Sequence, residues 1–214
     1  MIDRHETRFA LQLLRDQLGQ HVYPVHRLDK PTSGVLLFAL SPDIAQVLSK
    51  QFAERQIHKS YRLVVRGHCP EQGTIDYPLS HQTDKLTDKN KKQDKPAQPA
   101  ITRYKRLATI EIPVSVDRYP CSRYSLVEAY PETGRKHQIR RHFKHIAHPI
   151  IGDAKHGKGK HNRFFQQHYN CHRLLLACTG MEIEHPIHQK KLLLKAELED
   201  NFKALLAQFN WPTD

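Results

Sequence analysis

The chain has 214 residues, of which 34 are Lys or Arg and 22 are Asp or Glu, so its formal net charge is +12 with histidine neutral. Hydrophobic residues make up 38% of it and recur in clusters along the whole length, which argues against disorder throughout. The positive charge favours a polyanionic partner, above all a nucleic acid, because cations that neutralise phosphates release condensed counterions. A soluble protein that is basic without such a partner is the alternative.

Cysteine usage and apolar runs indicate the compartment. The four cysteines form no C-x-x-C pair, so the sequence has no zinc-ribbon or redox signature. The first ten residues, "MIDRHETRFA", are charged and lack the apolar stretch of a signal peptide. The longest apolar run, residues 35–40, is far too short to span a bilayer. These features predict a protein of the reducing cytoplasm with no membrane partner.

The first third of the chain predicts helix, strand, helix and strand. Residues 7–19 have the apolar spacing of a short amphipathic helix that ends at a glycine. The apolar run 35–40 predicts a buried strand. A serine and a proline then open a predicted helix over 41–52, as N-cap and first helical residue, and 59–67 predicts a second strand.

The rest of the chain mixes polar, strand-like and helical stretches. Residues 83–99 contain one leucine and many charges, which predicts a solvated loop without a core of its own. The predicted elements that follow are strands at 101–112 and 124–130, a helix at 137–148, strands at 174–183 and 191–198, and a helix at about 198–209. Because strands and helices do not alternate regularly, we expect a single domain over residues 1–214 with an α+β fold around an antiparallel or mixed sheet.

Four separated stretches carry the functional information. They are "HRLDKPTSG" at 26–34, "KSYRLVVRG" at 59–67, "GRKHQIRRH" at 134–142 and "HPIIGDAKHG" at 148–157. Together they resemble the RluA family of RNA pseudouridine synthases, in the family's order and with family-like spacing. Within that family the likeness is strongest to the bacterial tRNA pseudouridine synthase C group, and it covers almost the whole chain.

The resemblance implies a reaction, a substrate and an oligomeric state. Such enzymes isomerise a uridine within RNA: they break the bond from the sugar to the base nitrogen, turn the base and reattach it through carbon. The base must leave its stack, and no cofactor is implied because no redox change or outside group transfer occurs. The group's substrate is tRNA, at uridine 65 in the acceptor-stem region, and a monomer is expected.

Three residues are predicted to be catalytic because they match the family's motifs. Asp29 matches the catalytic aspartate and Arg140 the arginine that pairs with it, which would favour the charged carboxylate. Tyr61 matches the family tyrosine, whose ring can stack on the flipped uracil and whose hydroxyl is a candidate base. Alone, Asp29 is typical of a turn and Tyr61 of a half-buried strand; the combined motifs favour the site. Whether Asp29 adds to the sugar, adds to the ring or acts through elimination stays open.

Further site residues come from the same motifs. The predicted RNA contacts are His26, Arg27, Lys59, Arg135, Lys136, His137 and Arg141. By resemblance Arg27 enters the space that the flipped base leaves. The predicted positioning and base-pocket residues are Leu28, Thr32, Ser33, Gly34, Leu175 and Leu176.

The clustered histidines and the departures from the family leave alternative functions open. His137, His142, His145 and His148 cluster in sequence, but their spacing matches no H-E-x-x-H motif, so we predict no metal. Two other functions remain: an RNA-binding or chaperone-like protein of the same fold without catalysis, and a metal-dependent nucleic-acid hydrolase. The chain departs from the family in Ala177, where a histidine is frequent. From the same resemblance we expect the usual first strand to be missing at the N-terminus and no S4-like module.

Overall fold

The computed structural model describes residues 9–80 and 96–213. Its helices are α1 (Ala10–Leu18), α2 (Pro42–Ala53), α3 (Gln138–His145), α4 (Gly159–Tyr169) and α5 (Asp200–Gln208). Its strands are β1 (Tyr23–Pro24), β2 (Ser33–Gly34), β3 (Phe38–Ala39), β4 (His58–Arg66), β5 (Gln72–Asp76), β6 (Ile101–Ile112), β7 (Ser122–Pro131), β8 (Leu176–Glu184) and β9 (Lys191–Lys195). In these two ranges no helix is long and apolar enough to cross a membrane.

A mixed sheet organises the domain. Its strand order is β2-β8-β4-β7-β6-β5, with β9 pairing with β8, and β1 and β3 form a separate two-stranded sheet. In the large sheet β2 and β8 are parallel, and the other neighbouring strands are antiparallel. Strand β4 lies between β7 and β8, so its β-branched and leucine residues are buried on both faces. The predicted α+β fold is confirmed.

Helices cover both faces of this sheet, because side chains alternate along each strand. Val64 of β4 points to a cluster that contains Phe165 of α4 and Phe202 of α5. Its neighbour Leu63 points to the opposite cluster, which contains Phe143 of α3. Helix α3 therefore lies on one face of the sheet, and α4 and α5 lie on the other.

One predicted strand is wrong. Residues 35–40 are not a continuous buried strand, because only Phe38 and Ala39 pair with another strand, β1. Alternate side chains of the run, Val35, Leu37 and Ala39, pack instead in a third cluster beneath α2 with Leu48 and Met181. Leu40 is exposed. A short apolar run indicates burial but does not reveal whether its partner is a sheet or a helix.

The other predicted elements fall close to the observed ones. The helix over 41–52 is confirmed as α2, whose Ser41 side chain accepts a hydrogen bond from the Ile44 amide. Strands β5 and β1 and helix α4 were not predicted. The "GKHNRFFQQHY" stretch of α4 begins with a glycine and is rich in polar residues, which weakens its helical pattern. Of the predicted polar loop 83–99, residues 83–95 lie outside the described ranges, and Gln98 pairs with Leu79.

At two glycines of the motif segments, Gly34 and Gly152, the backbone lies directly against the backbone of another segment. At Gly34 φ is +106°, and a Cβ would lie 2.0 Å from the carbonyl oxygen of Cys178 on β8. At Gly152 φ is +79°, and a Cβ would lie 1.8 Å from the carbonyl oxygen of Arg173. Only glycine fits both the left-handed backbone and the contact. These positions fix the "TSG" and "IIGD" segments against the sheet.

Replacing Gly34 with alanine tests this constraint. Gly19 also has a positive φ, +64°, but nothing lies within 4 Å of an added Cβ, so Gly19→Ala reports the backbone cost alone. We expect Gly19→Ala to lower the free energy of unfolding by about 1 kcal/mol. Gly34→Ala should lower it by at least about 2 kcal/mol more, because the added methyl must displace β2 from β8. Urea denaturation measures both losses, and equal values would contradict the role assigned to Gly34.

A buried histidine joins β4, β7 and α4. His161 is 3% exposed, and its Nε2 accepts a hydrogen bond from Arg66 Nε at 3.1 Å. Its Nδ1 therefore carries the proton of the neutral ring and donates to the Tyr124 hydroxyl at 2.8 Å. Burial and then the charge of Arg66 lower the pKa of His161 from 6.5 to about 4. The ring thus stays neutral in the folded protein at neutral pH.

This histidine should make stability pH-dependent. Below pH 6.5 the unfolded chain binds a proton at His161 that the folded chain does not bind until about pH 4, so stability is lost as the pH falls through this window. We expect this group to lower the free energy of unfolding by on the order of 1 kcal/mol between pH 7 and pH 5. His161→Gln should reduce the pH dependence by about this amount, whereas His68→Gln, at an exposed position, should leave it unchanged. Urea denaturation at the two pH values decides, and an unaltered slope in His161→Gln would contradict the assignment.

Candidate active site

The predicted motifs meet in one cleft of about 430 Å³. The segment before β2, the first half of β4 and the turn that leads from β7 into α3 form its walls. The predicted site residues that line it are Arg27, Leu28, Asp29, Thr32, Lys59, Tyr61, Arg135, Lys136, His137, Arg140 and Leu176. Residues far apart in sequence thus come together around a single carboxylate.

Arg140 is the centre of this site. Its Nη1 donates to Asp29 Oδ2 at 3.1 Å, while its Nε and Nη2 donate to the two carboxylate oxygens of Asp153 at 2.7 and 2.9 Å. The Arg140 side chain is 6% exposed, Asp153 is fully buried, and Asp29 is 21% exposed at the cleft wall. One guanidinium therefore holds a buried carboxylate with a bidentate pair and the cleft carboxylate with a single bond.

Asp153 is satisfied as a buried charge. Besides Arg140, the amides of Lys155 and His156 each donate to its Oδ1 at 2.9 Å. Burial alone would raise the pKa of Asp153, but the hydrogen bonds from Arg140 and from these amides outweigh burial and lower it. On Arg140, burial is outweighed in the same way, and its pKa is raised by Asp153 and Asp29. Both groups are therefore charged at neutral pH.

The turn before α3 aims Arg140 into the cleft. The Gln138 side-chain oxygen accepts hydrogen bonds from Thr133 Oγ1 and from the Arg135 amide, at 2.7 and 3.0 Å. Its amide nitrogen donates to Ile101 O and Thr102 Oγ1 on β6. These bonds anchor the first residue of α3 to the sheet. The guanidinium two residues later is therefore set by sheet geometry rather than by a free loop.

Tyr61 and Lys59 enter the cleft from β4, where a bulge shifts the pairing with β8 between Ser60 and Tyr61. Burial raises the pKa of Tyr61 well above its ordinary value, and the Cys178 thiol and Asp29 add to the effect. Its hydroxyl is therefore protonated at neutral pH. Burial lowers the pKa of Lys59, whose ammonium lies 5.9 Å from the centre of the Phe52 ring. The predicted catalytic role of Tyr61 stays a prediction.

His137 lies near the second carboxylate oxygen of Asp29. Its backbone is left-handed, with φ of 54°, and its Nε2 lies 3.9 Å from Asp29 Oδ1. Its Nδ1 shares a hydrogen bond of 2.9 Å with Nε2 of the buried His156. Burial lowers the pKa of both rings, that of His156 to about 4, so both are neutral at pH 7. This pair borders the carboxylate without adding a full charge beside it.

Several predicted site residues lie elsewhere. His26 accepts a hydrogen bond from the Leu37 amide at 2.8 Å and stacks on Phe52, and burial lowers its pKa to about 4. Its contacts therefore favour a role in holding the loop rather than in binding RNA. Arg141 donates to the carbonyl and hydroxyl of Ser80 and points away from the cleft.

Two predicted positioning residues and one predicted pocket residue lie outside the cleft. Ser33 Oγ accepts a hydrogen bond from Arg173 at 2.6 Å, and Gly34 packs on β8, so both support the loop from outside. Leu175 belongs to the cluster on the opposite face of the sheet. Its neighbour Leu176 lines the cleft, as strand alternation requires.

Two of the residues that support the site, Asp153 and Arg173, were not predicted from the sequence. Asp153 stands in the "HPIIGDAKHG" stretch, where a carboxylate just after an apolar run and a glycine was a usable signal. Arg173 contacts Ser33 and Glu199, donates to the Leu174 carbonyl and lies 5.8 Å from the Phe202 ring centre. No pattern around Arg173 distinguishes it from a surface arginine.

The four clustered histidines separate in space. His142 bonds to Thr102 and to the Tyr77 carbonyl, His145 stacks on Tyr77 and His148 bonds to the Arg66 carbonyl. In the part of the chain that the structure describes, no three His, Cys, Asp or Glu side chains are grouped as metal ligands. The histidine cluster of the sequence is therefore not one site in the fold.

The same fold occurs in two solved human structures. RNA Pseudouridylate Synthase Domain Containing 1 superposes with a TM-score of 0.70 at 23% identity, over 94% of this chain and 77% of the other. RNA Pseudouridylate Synthase Domain Containing 4 gives a TM-score of 0.69 at 24% identity, over 94% and 81%. At these identities the likeness establishes the shared architecture.

Sequence comparison establishes the family. Residues 2–145 match the RNA pseudouridylate synthase family. The chain is 49% identical to tRNA pseudouridine synthase C of Vibrio parahaemolyticus serotype O3:K6 over 98% of its own length and 85% of the relative's. It is 51% identical to tRNA pseudouridine synthase C of Yersinia pestis, over 98% and 82%. This chain therefore belongs to the RluA-type RNA pseudouridylate synthases.

Proposed function

We propose that the protein converts a uridine of tRNA to pseudouridine in the Asp29 cleft. The observation that carries the proposal is the hydrogen bond from Arg140 to Asp29 in the cleft. Arg140 is held in turn by its hydrogen bonds to the buried Asp153. Support for tRNA as the substrate comes from the relatives, which are named tRNA pseudouridine synthase C. Uridine 65 as the target rests on the resemblance to that group.

The cleft offers the groups that this isomerisation needs. The target base must leave its stack to reach Asp29, which is partly exposed in the cleft. Arg27 is exposed at the same wall and is placed to occupy the vacated space, while Tyr61 and Leu176 offer apolar surface to the extruded ring. The basic residues Lys59, Arg135 and Lys136 surround this entrance and suit the flanking phosphates.

Asp29 acts while the bond between C1′ of the ribose and N1 of uracil breaks. Its carboxylate stabilises the positive charge that develops at the sugar, adds to the sugar or to the ring, or acts through elimination, and Arg140 keeps it oriented in each case. The uracil leaves with the bonding electrons on N1 and turns. C5 then bonds to C1′, which breaks any bond that Asp29 has formed, and the C5 proton is transferred to N1 through solvent or a nearby base. Since the pKa of Tyr61 is raised, its phenol is better suited to donate a hydrogen bond than to accept this proton unaided.

Asp29→Asn separates the proposed function from its two alternatives. The amide keeps the size of the carboxylate and an oxygen for Arg140, but it removes the charge. We expect pseudouridine formation on unmodified tRNA to fall by on the order of a thousandfold or more, with tRNA affinity retained. Chemical mapping of pseudouridine measures activity in the presence of EDTA.

The outcomes are distinct. Product formed by the unaltered protein in EDTA contradicts a metal-dependent hydrolase. No product from the unaltered protein on any tRNA would support a binding protein without catalysis. Full activity in Asp29→Asn would show that the chemistry does not depend on this carboxylate.

Asp153→Asn tests the support behind Arg140. The variant leaves a buried guanidinium with a weaker partner, so the free energy of unfolding should fall by about 3 kcal/mol. Because Arg140 then loses its orientation, kcat should fall by about a hundredfold while KM for tRNA changes little. Asp43→Asn, at an exposed position, is the matched control and should change stability by less than about 0.5 kcal/mol. A loss of stability with kcat intact would show that Asp153 supports the fold but not the reaction.

A further inference from the structure

A segment rich in positive charge leads away from the active-site cleft. Residues 154–163, "AKHGKGKHNR", contain three lysines, one arginine and two histidines, and no carboxylate. Lys155, Lys158, Lys160 and Arg163 are exposed, whereas the two histidines are buried. We call the four exposed cations the basic strip.

The strip begins at the cleft itself. Asp153, which holds Arg140, accepts a hydrogen bond from the amide of Lys155. The charge of Lys155 reaches the rings of His137 and His156, where it contributes to lowering their pKa values. An RNA strand that leaves the cleft on this side therefore meets the strip first.

The strip ends at a second cleft of about 410 Å³ on the other side of α4's first turn. Lys160 pairs there with Asp117 at 2.8 Å, and Arg66 donates to His161. Arg66 and Arg123 line this second cleft, and of the described residues around it Asp117 is the only carboxylate. Since eight residues separate Asp153 from His161, the connection is at most about 29 Å long.

Carboxylates compensate the strip only in part. Lys160 pairs with Asp117, as some exposed cations elsewhere pair with carboxylates, for example Lys50 with Glu54 and Lys191 with Glu182. Within residues 9–80 and 96–213, neither Lys158 nor Arg163 has an ion-pair partner. In addition, α4 starts without a side-chain cap or an acidic residue in its first turn. This part of the surface is therefore positively charged and open to an anionic partner.

We propose that the basic strip binds the phosphate backbone of the tRNA arm that adjoins the target uridine. This inference rests on the proposed function and extends it, because it assigns a surface outside the catalytic cleft to the RNA partner. Phosphate contacts of this kind position the RNA without reading its sequence. The strip would therefore contribute to the affinity for a whole tRNA and to the register in which the uridine reaches Asp29.

The test removes two strip charges that do not line the cleft. Lys158→Ala/Arg163→Ala is compared with Lys190→Ala/Lys191→Ala, which removes two positive charges at the β8–β9 turn, outside both the strip and the cleft lining. Affinity is measured over a range of salt concentrations, once with whole tRNA and once with a short stem-loop that holds the target uridine but lacks the adjoining arm. Thermal unfolding confirms that each variant is folded.

With whole tRNA, we expect the strip variant to reduce the slope of log affinity against log salt by about 2, with a Kd raised on the order of tenfold at low salt. On the stem-loop it should match the unaltered protein, and the control variant should match it on both RNAs. Unchanged slope and Kd on tRNA, an equal loss in the control, or an equal loss on the stem-loop would each overturn the inference. Pseudouridine formation by the unaltered protein is scored separately, so failure of the proposed function is distinguishable from failure of the strip.

Discussion

The structure depends on one guanidinium shared between two carboxylates. A buried Arg140 without Asp153 would carry an uncompensated charge, and an Asp153 without its amide donors would be driven toward the neutral form. With all partners in place, three of the arginine's donors have fixed acceptors, and the only one of these acceptors in the cleft is Asp29. The group that faces the substrate is therefore oriented by interactions that the substrate never contacts.

Two close backbone contacts bring Asp153 and the Asp29 loop to Arg140. Gly152 brings the chain against the Arg173 carbonyl, which places Asp153 next to the sheet, and Gly34 brings the loop that carries Asp29 against Cys178. Arg173 then ties Ser33 of that loop to the N-terminus of α5. Because the loop and the helix that carries Arg140 are each anchored to the same sheet, the distance between Asp29 and Arg140 is a property of the fold rather than of either segment.

The sequence predicted the cleft better than the residues that support it. Asp29, Tyr61 and Arg140 stand in motifs whose order and spacing are informative, and the long strands have continuous or alternating apolar patterns. Leu175 lies outside the cleft and Leu176 lines it, and a run of three leucines does not show which of them faces the cleft until the strand register is known. His26 and Arg173 depend on contacts between residues 11 and 140 positions apart. Such tertiary partners leave no local pattern.

Charged groups are compensated in the interior of the protein but only in part on its surface. Beneath the surface the charged groups of the site are matched, and the buried histidines His156 and His161 are held neutral. The chain's excess of positive charge must therefore lie on the surface, where part of it is paired with carboxylates and part, as along α4, is not. A compact anion would need only the cleft. An unpaired excess that continues beyond the cleft suits a long polyanion, because its phosphates outnumber those that can surround one flipped base.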